Sequence, residues 1–197
     1  MQTSLFIRDS RVFELYKQRL EESLFIESGL PEQVFRKDFV WFAFEEFDWA
    51  MSADFWSEAQ RLARGSNDSS VLMAVLDPSP SDYYKKEFGV YNWAELSIGL
   101  SSEEYWSLLN DHPKGNPADS VIANSEKVVW LPASGKWAVW GERSYGACVL
   151  GARVKLSLDS WHDVEWALQN YLPNCFRDQV VPSDFAGRLR LNYGACG

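Results

Sequence analysis

The chain is poor in the two side chains that most often hold metals, with 2 His and 3 Cys among 197 residues. No Cys-x-x-Cys pair occurs, which excludes a zinc finger, since structural zinc takes four convergent Cys or His ligands. Cys148, Cys175 and Cys196 are odd in number and far apart, a pattern that opposes a disulfide framework and suits free thiols in a reducing compartment. Also missing are a GxSxG elbow, a P-loop, a GxGxxG fingerprint and an HExxH helix. Nucleotide-dependent enzymes and the common hydrolases therefore lack their signatures here. No uncharged run approaches the roughly 18 residues that a membrane-spanning helix needs, and the apolar stretch before Arg8, Asp9 and Arg11 is too short for a signal peptide. The expectation is a cytoplasmic protein without cofactor or membrane contact.

Positive charge is scarce as well: 19 Lys and Arg stand against 28 Asp and Glu, a net charge of −9. Residues 1–98 carry 17 acidic and 10 basic side chains, residues 99–197 carry 11 and 9, so the negative field belongs mainly to the first half. Such a field repels phosphate backbones and leaves no basic stripe for DNA or RNA. It attracts a basic protein instead.

Apolar residues make up 46% of the sequence, enough to bury a core over this length, and no long Pro/Gly/Ser-rich linker divides it. One domain is expected, with short loops at 65–70, 77–82 and 112–119. Val12, Phe13, Tyr16, Leu20 and Leu24 recur at three- and four-residue steps, which predicts an amphipathic helix over about 9–27. A second helix spans about 53–64, with Gly65 at its C-terminal stop. A third, over 101–111, opens on Ser101 and Glu104, a capping box. A fourth, over 160–171, places Trp161, Val164, Leu168 and Tyr171 on one stripe. Segments 128–131 and 137–140, separated by Pro132, Ala133, Ser134 and Gly135, read as a β-hairpin, and 147–150 as a third antiparallel strand. The continuous apolar runs 39–44 and 71–76 suit strands buried on both faces, although 39–44 also fits a buried helix. The sum is a single α+β domain with a mixed or antiparallel sheet, a hairpin or meander at about 128–150, and four or so flanking helices.

Aromatics are abundant: 10 Trp, 12 Phe and 8 Tyr. Most fall on the periodic faces and read as core, but one segment differs. Residues 45–58 hold Glu45, Glu46, Asp48, Asp54 and Glu58 with no basic side chain, interleaved with Phe47, Trp49, Phe55 and Trp56. Acidic residues suit the positive end of a helix dipole. The same mixture also suits a docking face, where carboxylates steer a basic partner and Trp49 or Trp56 anchors it.

Other constellations are thinner. His162 and Glu165 would share a helix face beside Asp163, an incomplete ligand set. Cys148 lies in an apolar run that reads as the interior of a strand, where buried cysteine is the ordinary case. Trp140-Gly141-Glu142-Arg143 reads as a strand end with a surface Glu–Arg pair.

Two stretches, Val75-Leu76-Asp77-Pro78-Ser79-Pro80-Ser81-Asp82-Tyr83-Tyr84 and Trp130-Leu131-Pro132-Ala133-Ser134-Gly135-Lys136-Trp137-Ala138-Val139-Trp140-Gly141-Glu142-Arg143, resemble segments of small, acidic, Trp-rich bacterial proteins. Among those are immunity proteins of polymorphic and contact-dependent toxin systems. The resemblance implies a non-catalytic cytoplasmic protein that occludes a cognate toxin. With the charge distribution it gives the leading expectation, an immunity protein that binds a basic toxin through Glu45, Glu46, Asp48, Trp49, Asp54, Trp56 and Glu58. Alternatives are a small-molecule or carbohydrate-binding module, a hydrolase built on Asp163 with Glu165 or Glu142, and a structural or phage accessory subunit.

Overall fold

A computed structural model describes residues 5–158 and 160–194, so Cys196 lies outside the described residues. Its centre is one antiparallel sheet of β1 (Trp41–Glu46), β2 (Ser70–Asp77), β3 (Trp93–Ser97), β4 (Lys127–Pro132), β5 (Trp137–Glu142) and β6 (Ala147–Ala152). The spatial order is β1-β6-β5-β4-β2-β3. The helices are α1 (Ser10–Ser23), α2 (Phe47–Ala50), α3 (Ala53–Ser66), α4 (Lys86–Phe88), α5 (Ser102–Asn110), α6 (Val164–Asn170) and α7 (Ser183–Tyr193). This is a single-domain α+β fold, as the sequence pattern indicates.

Both faces of the sheet are covered, and each carries its own core. On one side Leu72, Ala74, Val129, Trp140 and Val149 meet Phe13 and Leu20 of α1, Leu168 of α6 and Leu189 of α7. On the other, Val71, Met73, Trp130, Val139 and Leu150 meet Phe47 of α2, Phe55 and Trp56 of α3, and Tyr105 of α5. Double coverage is why β5 and β6 are buried at every position and read as unbroken apolar runs. The expected hairpin is β4–β5, and β6 pairs β5 antiparallel as the third strand. Run 39–44 becomes edge strand β1, paired with β6 from Trp41↔Ala152 to Glu46↔Ala147.

The two edges of the sheet are closed by short segments from elsewhere in the chain. At β3, the Ile7 N–H donates to the Trp93 carbonyl and the Tyr91 N–H to the Ile7 carbonyl, both at 2.8 Å. At β1, Phe44 and His162 exchange backbone hydrogen bonds of 2.7 and 3.0 Å.

Helix boundaries follow local chemistry. Asp9 caps α1 by accepting from the N–H groups of Arg11 and Val12 at 2.7 and 3.3 Å. The helix stops at Leu24, short of 27, because that residue turns extended and bridges Phe35. Val12 of the expected apolar stripe lies outside the core, 39% exposed. Helix α3 runs two residues past the expected end and closes on Asn67 in the left-handed region (φ 64°), in place of Gly65. The α5 capping box forms as expected, with Ser101 Oγ accepting from the Glu104 N–H at 3.2 Å and Glu104 accepting from the Ser101 N–H at 2.8 Å. The fourth helix is shorter than 160–171: Asp163 caps α6 through the Trp166 N–H (2.8 Å), and residues 160–163 precede it. A five-residue strand (β3), the one-turn helices α2 and α4, and α7 add to the expected set. The 77–82 loop is partly helical, since a π-helical segment spans Pro80–Lys85.

The connection between α1 and β1 is tied to the sheet at two glycines. A Cβ on Gly151 would sit 2.6 Å from the Phe35 ring, so only glycine lets that ring lie on β6. A Cβ on Gly29 would meet Glu142 Oε1 at the same distance. Glu142 is 1% exposed. It accepts from the Leu30 N–H at 3.0 Å and faces the Lys127 ammonium at 3.7 Å. The expected Glu142–Arg143 surface pair does not form: Arg143 turns to donate to the Ser125 and Ile122 carbonyls, both at 2.7 Å.

Candidate functional site

The 45–58 segment forms the end of β1, all of α2 and the start of α3. Glu46 ends the strand and occupies the N-cap position of α2, Asp48 lies in the first turn of α2, and Asp54 in the first turn of α3. All three are exposed. Two of them thus lie at the positive ends of helices, Asp48 on the single turn of α2 and Asp54 on the 14-residue α3, which favours their charge locally. Ser52 holds the N-cap position of α3, but its hydroxyl donates to the Trp49 carbonyl (2.7 Å) and leaves that helix without a side-chain cap.

Several of the chain's other acids meet cations, and Glu46, Asp48 and Asp54 do not. Asp38 pairs with Arg153, Glu165 with Arg190, Glu32 with Arg188 and Glu58 with Arg61. Among the described residues no Lys, Arg or His lies within 4.0 Å of Glu46, Asp48 or Asp54. Glu45 is different again. Its side chain is 15% exposed, its carboxylate lies 3.6 Å from His162 Nε2, and burial pushes its pKa up despite that neighbour. The His162 ring stacks on Trp166 at 3.7 Å.

The aromatic members divide. Trp49 is half-buried, edge-on to Phe55 and Trp161 with ring centroids 5.4 and 5.5 Å away. Trp56, expected as a possible anchor, belongs to the core: it is 0% exposed, stacks on Tyr105 at 5.0 Å, and donates from its indole N–H to the Leu100 carbonyl at 2.8 Å. Glu58 is also drawn inward, with its side chain 12% exposed and its carboxylate accepting from Arg61 and from the Trp161 indole.

What replaces Trp56 is a residue that the sequence reading passed over. Trp106, on α5, is 42% exposed. It lies one turn after Ser102, whose hydroxyl is 3.4 Å from that of Ser57, itself one turn after Asp54. The exposed Glu103 and Glu104 sit in the same first turn of α5. The signal was present in the wheel: Tyr105, Leu108 and Leu109 define the buried side of α5, and Trp106 falls outside that stripe. α3 and α5 thus meet at Ser57 and Ser102, with exposed acids in the first turn of each and the exposed Trp106 indole on α5. No protein-family model, curated protein or solved structure matches the chain.

The other candidates come apart in space. Asp163 is used as a helix cap, Glu165 is paired with Arg190 at 2.6 Å, which holds its carboxyl below the usual range, and His162 is committed to the sheet edge. Among the described residues no three His, Cys, Asp or Glu side chains converge on a common point. Glu142, the third carboxylate considered for a hydrolase, is enclosed, and burial raises its pKa. Cys148 is 0% exposed within β6, where burial pushes its thiol up and away from the reactive thiolate. No helix among the described residues is long and apolar enough to cross a membrane.

Proposed function

We propose that this chain is a non-enzymatic binding protein of the immunity type, which holds a basic toxin domain against the acidic face of α2, α3 and α5. The observation that carries the reading is the set of exposed carboxylates at Glu46, Asp48 and Asp54 with no cation facing them. Uncompensated surface charge of one sign raises encounter rates with an oppositely charged partner and disfavours others. Trp106 supplies what charge alone does not, a large amphipathic side chain that gains by desolvation at an interface. Trp49, wedged between Phe55 and Trp161, gives the same face a fixed aromatic floor.

The test is a growth and binding assay against a basic toxin domain encoded beside this chain's gene. Reversing Glu46, Asp48 and Asp54 to Lys is expected to slow association by about tenfold or more at low salt and to flatten its salt dependence. Trp106→Ala is expected to raise the dissociation rate with little effect on association. Full protection by the triple variant would remove this face from the mechanism. A gene neighbourhood without any toxin would count against the immunity reading itself.

A further inference from the structure

On the opposite side of the sheet, a cleft of about 400 Å³ opens between α1 and the segment that follows β2. Ile26 and Leu76 give it an accessible apolar floor, and Phe13 and Trp93, 3% and 1% exposed with ring centroids 4.6 Å apart, pack beneath them. Lys17, Glu27, Ser79, Ser81 and Asp82 stand around its rim. The floor residues pack with the α1 side of the core, so the cleft is separate from the acidic face and does not depend on its role.

The rim chemistry narrows the ligand. Ser79 Oγ accepts from the Asp82 N–H at 3.0 Å and lies 3.2 Å from Asp82 Oδ2, which fixes that hydroxyl and carboxylate side by side. The Glu27 carboxylate and the Ser81 hydroxyl have no partner among the described residues. Lys17 has only Glu21, at 4.0 Å. Two carboxylates on the rim of a chain of net charge −9 oppose a phosphate or carboxylate ligand. The Lys17 ammonium on the same rim opposes a small cation. What remains complementary is a neutral molecule rich in hydroxyls, because each rim group accepts from a hydroxyl, donates to one, or both. The apolar side chains of Ile26 and Leu76 match the C–H face of such a molecule, and the volume admits one ring with its substituents.

We infer that this cleft is a binding site for a neutral monosaccharide or a cyclic polyol of similar size, held by Asp82, Ser81, Glu27 and Lys17 over the Ile26–Leu76 floor. The test is calorimetric titration of the full chain with glucose, galactose, mannose and myo-inositol, with glucose 6-phosphate and agmatine as charged controls. Saturable binding of a neutral sugar or inositol is expected, weakened about tenfold or more in Asp82→Asn by loss of charge-assisted hydrogen bonds. A smaller loss is expected in Ser81→Ala, whose exposed and unpartnered hydroxyl leaves the fold intact. The Glu46, Asp48 and Asp54 reversal should bind the sugar unchanged. The inference is overturned if no neutral compound binds at millimolar concentration, if binding is indifferent to both cleft substitutions, or if agmatine or the phosphate binds more tightly.

Discussion

Glu142 shows how much one side chain can decide in this protein. Its carboxylate is enclosed under the α1–β1 connection, with Lys127 and the Leu30 N–H as partners and no room for a Cβ at Gly29. Burial outweighs both partners and raises its pKa above the ordinary 4.5. The folded state therefore holds this proton more tightly than the unfolded chain. Its stabilising contribution is fully present below 4.5 and is lost as pH rises through the folded-state pKa. Glu45, raised by burial as well, acts in the same direction. Glu142→Gln keeps the shape and removes the titration, so its unfolding free energy should fall less between pH 4.5 and neutrality than that of the parent. Urea unfolding followed by Trp fluorescence across that range measures the difference. Parallel pH profiles for the two proteins would refute this account of Glu142.

At the level of elements, what the sequence disclosed depended on whether the deciding interactions were local. The capping box at Ser101 and Glu104 was legible because both of its hydrogen bonds close within four residues. The β4–β5 hairpin was legible because its turn residues are contiguous with its strands. By contrast, the start of α6 was misplaced. Ser160 looks like a cap, but His162 is recruited to the edge of β1 by residues more than a hundred positions away, and the helix can begin only at Asp163. Helix α7 was missed although Phe185, Leu189 and Tyr193 recur every four residues, because Pro182 and Gly187 dilute the local helix signal. The acidic members of the candidate site were visible as composition. Sequence favours Trp56 as an anchor and is silent on Trp106 because exposure is set by which neighbouring helix lies overhead, and α5 covers the first while leaving the second open. The assignment of the α6 cap is testable by thermal unfolding: Asp163→Ala should cost about 1 kcal/mol and Ser160→Ala close to nothing. Equal losses in both would restore the earlier start.

For the molecule as a whole, the governing fact is a sheet with helices on both faces and two thinly covered borders. The faces are protected by bulk, with α1, α6 and α7 on one side and α2, α3 and α5 on the other. The borders are protected by much less: a few backbone hydrogen bonds from Ile7 and Tyr91 at β3, and two between Phe44 and His162 at β1. A border strand with free N–H and C=O groups is a template for another copy of itself. Proline at position 7 or 162 deletes the N–H that each closing segment donates; at 162 every residue of the two cores stays in place, and at 7 only the Ile7 side chain is lost from the α1-side core. Ile7→Pro and His162→Pro are therefore expected to retain most of the parent's far-UV dichroism while forming concentration-dependent oligomers in sedimentation velocity. Strictly monomeric variants would show that these contacts are dispensable. If the oligomers form, two short stretches of irregular chain are what keep neighbouring copies of this protein from joining edge to edge into a continuous sheet.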